Sequence, residues 1–173
     1  MTKKIAPPSL WVSLPLTVLF CLALAVSAPA QAADDASYEA VVLRVFDGYS
    51  MLVRTAAQKR IKIRLYGIDT PALGQTWGAE ARDALRQMLW QTVTIHEMGT
   101  DRYKRTVAIV SHMGRCINLE LVAAGNAWFS PKDCQAVWVC GQIKMAETEA
   151  REKGLGLWAG KESAPPWEWR KRK

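Results

Sequence analysis

Between Arg60 and Gly67, apolar Ile61, Ile63 and Leu65 alternate with Lys62, Arg64 and Tyr66. A period of two puts one set on each face of an extended chain, so this segment reads as a half-buried strand. Two similar segments precede it. Tyr38 to Phe46 carries Val41, Val42, Leu43, Val45 and Phe46, breaks at the turn pair Asp47-Gly48, and Met51 to Thr55 resumes the pattern. Three strands in a meander are expected, and such a sheet must cover its apolar face with something else.

The cover follows in sequence. From Gly78 to Leu89 the period changes to that of a helix, with Ala81, Leu85, Met88 and Leu89 on one face and Glu80, Arg82, Asp83 and Arg86 on the others. Thr92 to Glu97 and Arg105 to His112 read as two more strands, joined through Gly99 to Lys104. Ile117 to Ala124 and Val137 to Lys153 read as helices ending at Gly125 and Gly154, the residue type that closes helices in the left-handed conformation. Five strands with a helix between the third and fourth predict an α+β fold, a five-stranded OB-type barrel with added helices.

The ends differ from this body. Lys3 and Lys4 precede an apolar run from Leu10 to about Val26, then Ala30-Gln31-Ala32 supplies the small residues of a signal-peptidase site. Residues 1–32 are therefore expected to be a signal peptide, the domain to span 36–160, and the product to be exported to the periplasm or the medium. Export would leave Cys116, Cys134 and Cys140 in an oxidising compartment. A small Cys134–Cys140 loop is the first expectation, although connectivity is open at this stage. Ala164-Pro165-Pro166 separates off a Trp- and basic-rich tail over 161–173, expected to order on binding a partner. That partner is nucleic acid or an anionic membrane surface, to which Trp167, Trp169 and Arg170 to Lys173 are suited. Membrane contact is otherwise expected only through the signal segment.

The formal charge is +7, and +5 without Lys3 and Lys4, which favours a polyanionic partner without choosing it. Five further tryptophans, Trp77, Trp90, Trp128, Trp138 and Trp158, are expected to serve packing. His96 and His112 have no partner at metal spacing.

Five segments in order carry a resemblance. They are Val45-Phe46-Asp47-Gly48-Tyr49-Ser50, Arg64-Leu65-Tyr66-Gly67-Ile68-Asp69-Thr70-Pro71, Gln75 to Ala81, Asp101-Arg102-Tyr103-Lys104-Arg105 and Gly154 to Trp158. Together they resemble the staphylococcal nuclease (thermonuclease) family, over about residues 41 to 158. The resemblance implies a monomeric calcium-dependent nuclease of DNA and RNA, with no small-molecule cofactor. Arg64 and Arg105 match the catalytic arginines that clamp the phosphate, a role suited to planar, always-charged guanidinium. Asp69 matches a cation-binding aspartate and Thr70 the ligand beside it, with Asp47 able to contribute, a hard oxygen set of the kind Ca²⁺ takes. Tyr49, Tyr103, Arg170 and Arg172 are the candidate nucleic-acid contacts.

Two positions depart from the family pattern. Tyr49, a neutral phenol, stands where the family has a second cation-binding aspartate, and Ala72 stands where it has the glutamate that activates water. Either the chain hydrolyses phosphodiesters with weakened or altered metal dependence, or it binds nucleic acid without cutting it.

Overall fold

The computed structural model describes residues 37–160 and 164–172; the expected signal peptide, its cleavage site and Lys173 lie outside the described residues. Eight strands occur among them: β1 (Ser37–Val45), β2 (Ser50–Thr55), β3 (Arg60–Leu65), β4 (Ile68–Asp69), β5 (Thr92–Thr100), β6 (Thr106–His112), β7 (Arg115–Cys116) and β8 (Trp128–Phe129). The helices are α1 (Gly78–Arg86), α2 (Ile117–Ala123), α3 (Val137–Glu152) and the short α4 (Pro166–Trp169). The five long strands are those the alternation predicts.

Sheet order is β3-β2-β1-β5-β6-β7, and a parallel β3–β6 pairing closes the five long strands into a mixed barrel. The closure removes the free edges that β3 and β6 would otherwise present. Inside it lie Val42, Met51, Val53, Ile63, Leu65, Val93, Ile95 and Val110, all at most 1% exposed. The alternation in β3 is realised as written, with Ile63 and Leu65 buried and Lys62 exposed. Tyr66 departs from it. Its ring is buried, and its hydroxyl accepts hydrogen bonds from the Gln135 and Ala136 amides.

Three differences from expectation have local causes. Helix α1 stops at Arg86, because Met88 and Leu89 donate to Leu85 and Arg86 in tighter turns and Trp90 takes a positive φ of 64°. Strand β5 runs three residues past Glu97 by way of a bulge between Glu97 and Gly99. The dipeptides β4 and β8 pair with each other as a second small sheet, too short to show any periodicity. Trp90 and Trp138, expected to pack, are instead 70% and 61% exposed.

Other signals are met directly. Gly154 closes α3 at φ +62°, with the Leu155 amide reaching back to the Ala150 carbonyl. Cys134 and Cys140 form a disulfide and, among the described residues, Cys116 is the free thiol, its pKa pushed up chiefly by burial. Asn118, fully buried, accepts from the Val110 amide and donates to the Tyr66 and Ala108 carbonyls, joining α2 to the barrel wall.

The C-terminal segment is not a separate tail. Gln75 donates to the Ala164 carbonyl at 2.6 Å, Pro166 is buried, and the Trp167 ring lies edge-on to Trp128 at 5.8 Å. Apolar and hydrogen-bonding contacts to the barrel thus offset the entropy that holds short ends disordered. Among the described residues no helix is long and apolar enough to cross a membrane.

Candidate functional site

Strand register brings the first three site residues together. Arg64 pairs across to Ser50 on β2, the neighbour of Tyr49, and across to Val107 on β6, two residues from Arg105. The Arg64 and Arg105 guanidinium carbons lie 5.3 Å and 5.7 Å from the centre of the Tyr49 ring. At that range each cation is attracted to the ring face. Barrel closure therefore sets two arginines beside one aromatic plate, although they stand 41 residues apart in the chain.

Each arginine is held by a carboxylate. Arg64 Nη2 donates to Asp133 Oδ2 at 3.0 Å, and the Ser130 hydroxyl donates to the same oxygen at 2.7 Å. Burial opposes the Asp133 charge, but the Ser130 hydrogen bond and Arg64 outweigh it and hold its pKa below the usual value. Arg105 donates through Nε to Asp101 Oδ2 at 2.7 Å, while Asp101 Oδ1 accepts from the Tyr103 and Arg105 amides. Burial again works against both charges of this pair. The hydrogen bonds within the turn lower the Asp101 pKa, and those that Arg105 donates to Asp101 and Tyr49 raise its own.

These groups line an open cleft of about 860 Å³, together with Arg102, Tyr103, Lys132 and Arg170. Tyr103 is 64% exposed, and its ring lies within reach of both Arg102 and Arg105. Arg172 is not brought there; it lines a smaller cavity of about 130 Å³ with Pro71, Gln75 and Trp169.

The expected cation ligands have other employment. Asp47 Oδ1 accepts from the Tyr49 amide at 3.0 Å and the Ser50 hydroxyl at 2.7 Å, which closes the β1–β2 turn. Asp69 is buried on β4 and is bound by the Arg170 guanidinium through both Nη atoms, the Nη1 to Oδ1 distance being 3.3 Å. Thr70 is fully buried, with its hydroxyl lacking a hydrogen-bond partner among the described residues and its amide donating to Asp69 Oδ1. Calcium takes about six to eight oxygens, several of them anionic. The described residues contain no group of three His, Cys, Asp or Glu side chains able to hold a metal. This donor set, with one carboxylate spent on a turn and the other on a guanidinium, does not fit calcium.

Ala72 presents only a methyl group, and its amide donates to Gln75 Oε1 at 3.3 Å. Gln75 spends its other end on the tail, and Glu80 lies exposed in the first turn of α1, so neither supplies a base. What the cleft can do is bind an anion of phosphate shape and stabilise charge that builds on it.

Comparison with known proteins agrees with this geometry. A family model described as staphylococcal nuclease homologue matches residues 62–160. The chain belongs to the staphylococcal nuclease family.

Within that nuclease family the chain is 33% identical over 133 residues to a Haemophilus influenzae protein described as an uncharacterized endonuclease, covering 76% of this chain and 72% of that one. It is 33% identical over 169 residues to the micrococcal nuclease of Shigella flexneri, covering 89% and 90% of the two chains. An Escherichia coli protein described as an uncharacterized endonuclease is 33% identical over 135 residues, with 76% and 84% covered. Membership of this family, with its nuclease-like fold, implies nucleic acid as the ligand.

Sequence reasoning missed Asp133, Lys132 and Arg102. Ser130-Pro131-Lys132-Asp133 reads as a turn, and nothing in it points to Arg64, 69 residues earlier. Arg170 is legible only as a basic tail residue, and no sequence signal marks its contact with Asp69.

Proposed function

We propose that this chain is an exported phosphodiester hydrolase acting on DNA or RNA, with metal dependence weakened or altered relative to its family. The observation that carries the reading is the meeting of Arg64 and Arg105 at the Tyr49 ring in an open cleft of about 860 Å³. A phosphodiester is anionic and gains charge as water attacks. Five-donor guanidinium groups held by carboxylates meet that charge without reorganising. Tyr49 and Tyr103 offer faces on which bases of the same strand stack. With Ala72 in place of a proton acceptor, the rate is expected to fall about 10²- to 10⁴-fold below that of a nuclease with a positioned base.

Ala72 and the engagement of Asp69 by Arg170 also favour a second reading, a pseudonuclease that binds nucleic acid in the same cleft without cutting it. One assay separates the two. Purified protein is incubated with single- and double-stranded DNA and with RNA, in calcium, magnesium, manganese or chelator, beside Arg64→Ala and Arg105→Ala. Products lost in both variants establish the hydrolase. Salt-sensitive binding without products under every condition establishes the binding module.

Export rests on Lys3, Lys4, the run from Leu10 to Val26 and Ala30-Gln31-Ala32. N-terminal sequencing of protein from the periplasm or medium is expected to begin at Ala33. A chain still starting at Met1 would sink this part.

A further inference from the structure

We infer that Arg170, delivered by the C-terminal helix, is a tethered cation that serves the phosphate cleft in the place of a divalent metal ion. The inference rests on the cleft being a nucleic-acid site, as proposed above, and adds what charges it.

Delivery is specified by the fold. Asp69 on β4 pairs in register with Trp128 on β8, and Trp128 is the plate on which Trp167 docks. Three residues further on, Arg170 reaches Asp69 and ties both Nη atoms to its carboxylate. Gln75, in the loop that follows Asp69, holds the start of the same segment at Ala164. The helix is thus fastened at both ends, with its arginine aimed at the one buried carboxylate of the loop.

Exposure decides which charge a ligand meets. The Asp69 side chain is 2% exposed and that of Arg170 is 42% exposed. An anion entering the cleft therefore meets a guanidinium, with the carboxylate masked behind it. Of the three cleft arginines that are paired with carboxylates, Arg64 and Arg105 are 12% and 19% exposed, so Arg170 is the most accessible of the three. Two of its five N–H donors go to Asp69, which leaves others for phosphate oxygens. A divalent ion held by carboxylates would play the same part, masking them while offering positive charge. Here a side chain does so.

The test measures binding of the full chain to a fluorescein-labelled, phosphorothioate-linked single-stranded oligothymidylate by anisotropy, in excess chelator and in calcium, over a range of salt. The wild type is expected to bind equally well in both. Arg170→Gln is expected to weaken binding about tenfold in chelator and to lower the slope of log affinity against log salt by about 0.7, while Arg170→Lys keeps most of both. Because Arg170→Gln also unmasks Asp69, and could unfold the protein by doing so, the double variant D69N/R170Q carries the decision. It has no buried charge left, and it is expected to remain weak with the reduced slope. Wild-type binding that collapses in chelator would overturn the inference, as would a double variant that binds like wild type. In either case Arg64→Gln and Arg105→Gln would still lose binding. If those two bind like wild type, or the wild type binds in neither condition, the nucleic-acid reading of the cleft fails as well.

Discussion

The two ends of the cleft are built by different means. At one end Arg105 is held by Asp101, four residues away, inside a turn that also ties down the Tyr103 and Arg105 amides. At the other end Arg170 is held by Asp69, 101 residues away, and the pair exists only once β4, β8 and the C-terminal helix have come together. The first is a property of a five-residue segment, the second of the whole domain. The local pair is therefore insensitive to distant changes, whereas the long-range pair concentrates the consequences of any change in the parts that deliver it.

The largest expected effect breaks the long-range end at its base. A Cβ on Gly78 would lie 1.9 Å from the Ala72 carbonyl oxygen, so Gly78→Ala must push the loop after Asp69 away from α1. The predicted loss is about 3 kcal/mol in denaturant titration, with the 101–105 turn unaffected. A loss below about 1 kcal/mol would mean that this loop yields freely.

Next comes the pair itself. Arg170→Gln leaves the buried Asp69 carboxylate without its cation, and the predicted destabilisation is about 2 kcal/mol, moderated because Arg170 is partly in solvent. Asp101→Asn at the other end removes a pair in a self-contained turn, with a predicted loss of about 1 kcal/mol or less. Equal losses would erase the distinction between the two ends.

The smallest effect is in acid. Asp101 and Asp133 both have folded-state pKa values below the ordinary aspartate value. Their stabilisation is complete above the unfolded pKa of about 3.9 and is lost as pH falls from there through the lowered values. The acid limb of a stability-versus-pH curve is expected to flatten in Asp133→Asn and to keep its shape in a variant at exposed Glu80.

Much of the barrel was legible because its signals are local. The alternation through Ile61, Ile63 and Leu65 reports which face is buried, since a strand's two faces meet different solvents. Gly154 marks the end of α3 because a left-handed cap needs only one residue's conformational freedom. The connection from Gly99 to Lys104 was legible for the same reason, whereas the hold of Asp101 on Arg105 within it came only with the structure. Arg64, Arg105 and Tyr49 could be assigned to one site through resemblance, with their meeting at one ring decided by strand register.

The tail was not legible. Its proline pair and basic run are the signals of a loose end, and they say nothing of a Trp128 plate waiting 39 residues earlier. Nor could Asp69 announce its partner, since a carboxylate beside a threonine and a proline suits a metal, a turn or a guanidinium equally. Sequence alone determined the five long strands and the long helices, and the resemblance pointed to Arg64 and Arg105. Only the tertiary structure decided that Asp133 holds Arg64, and that Asp69 is buried under a cation from the chain's own end. Periodicity and turn chemistry are written between neighbours, while a long-range ion pair is chosen by whichever charges the closed barrel leaves facing one another.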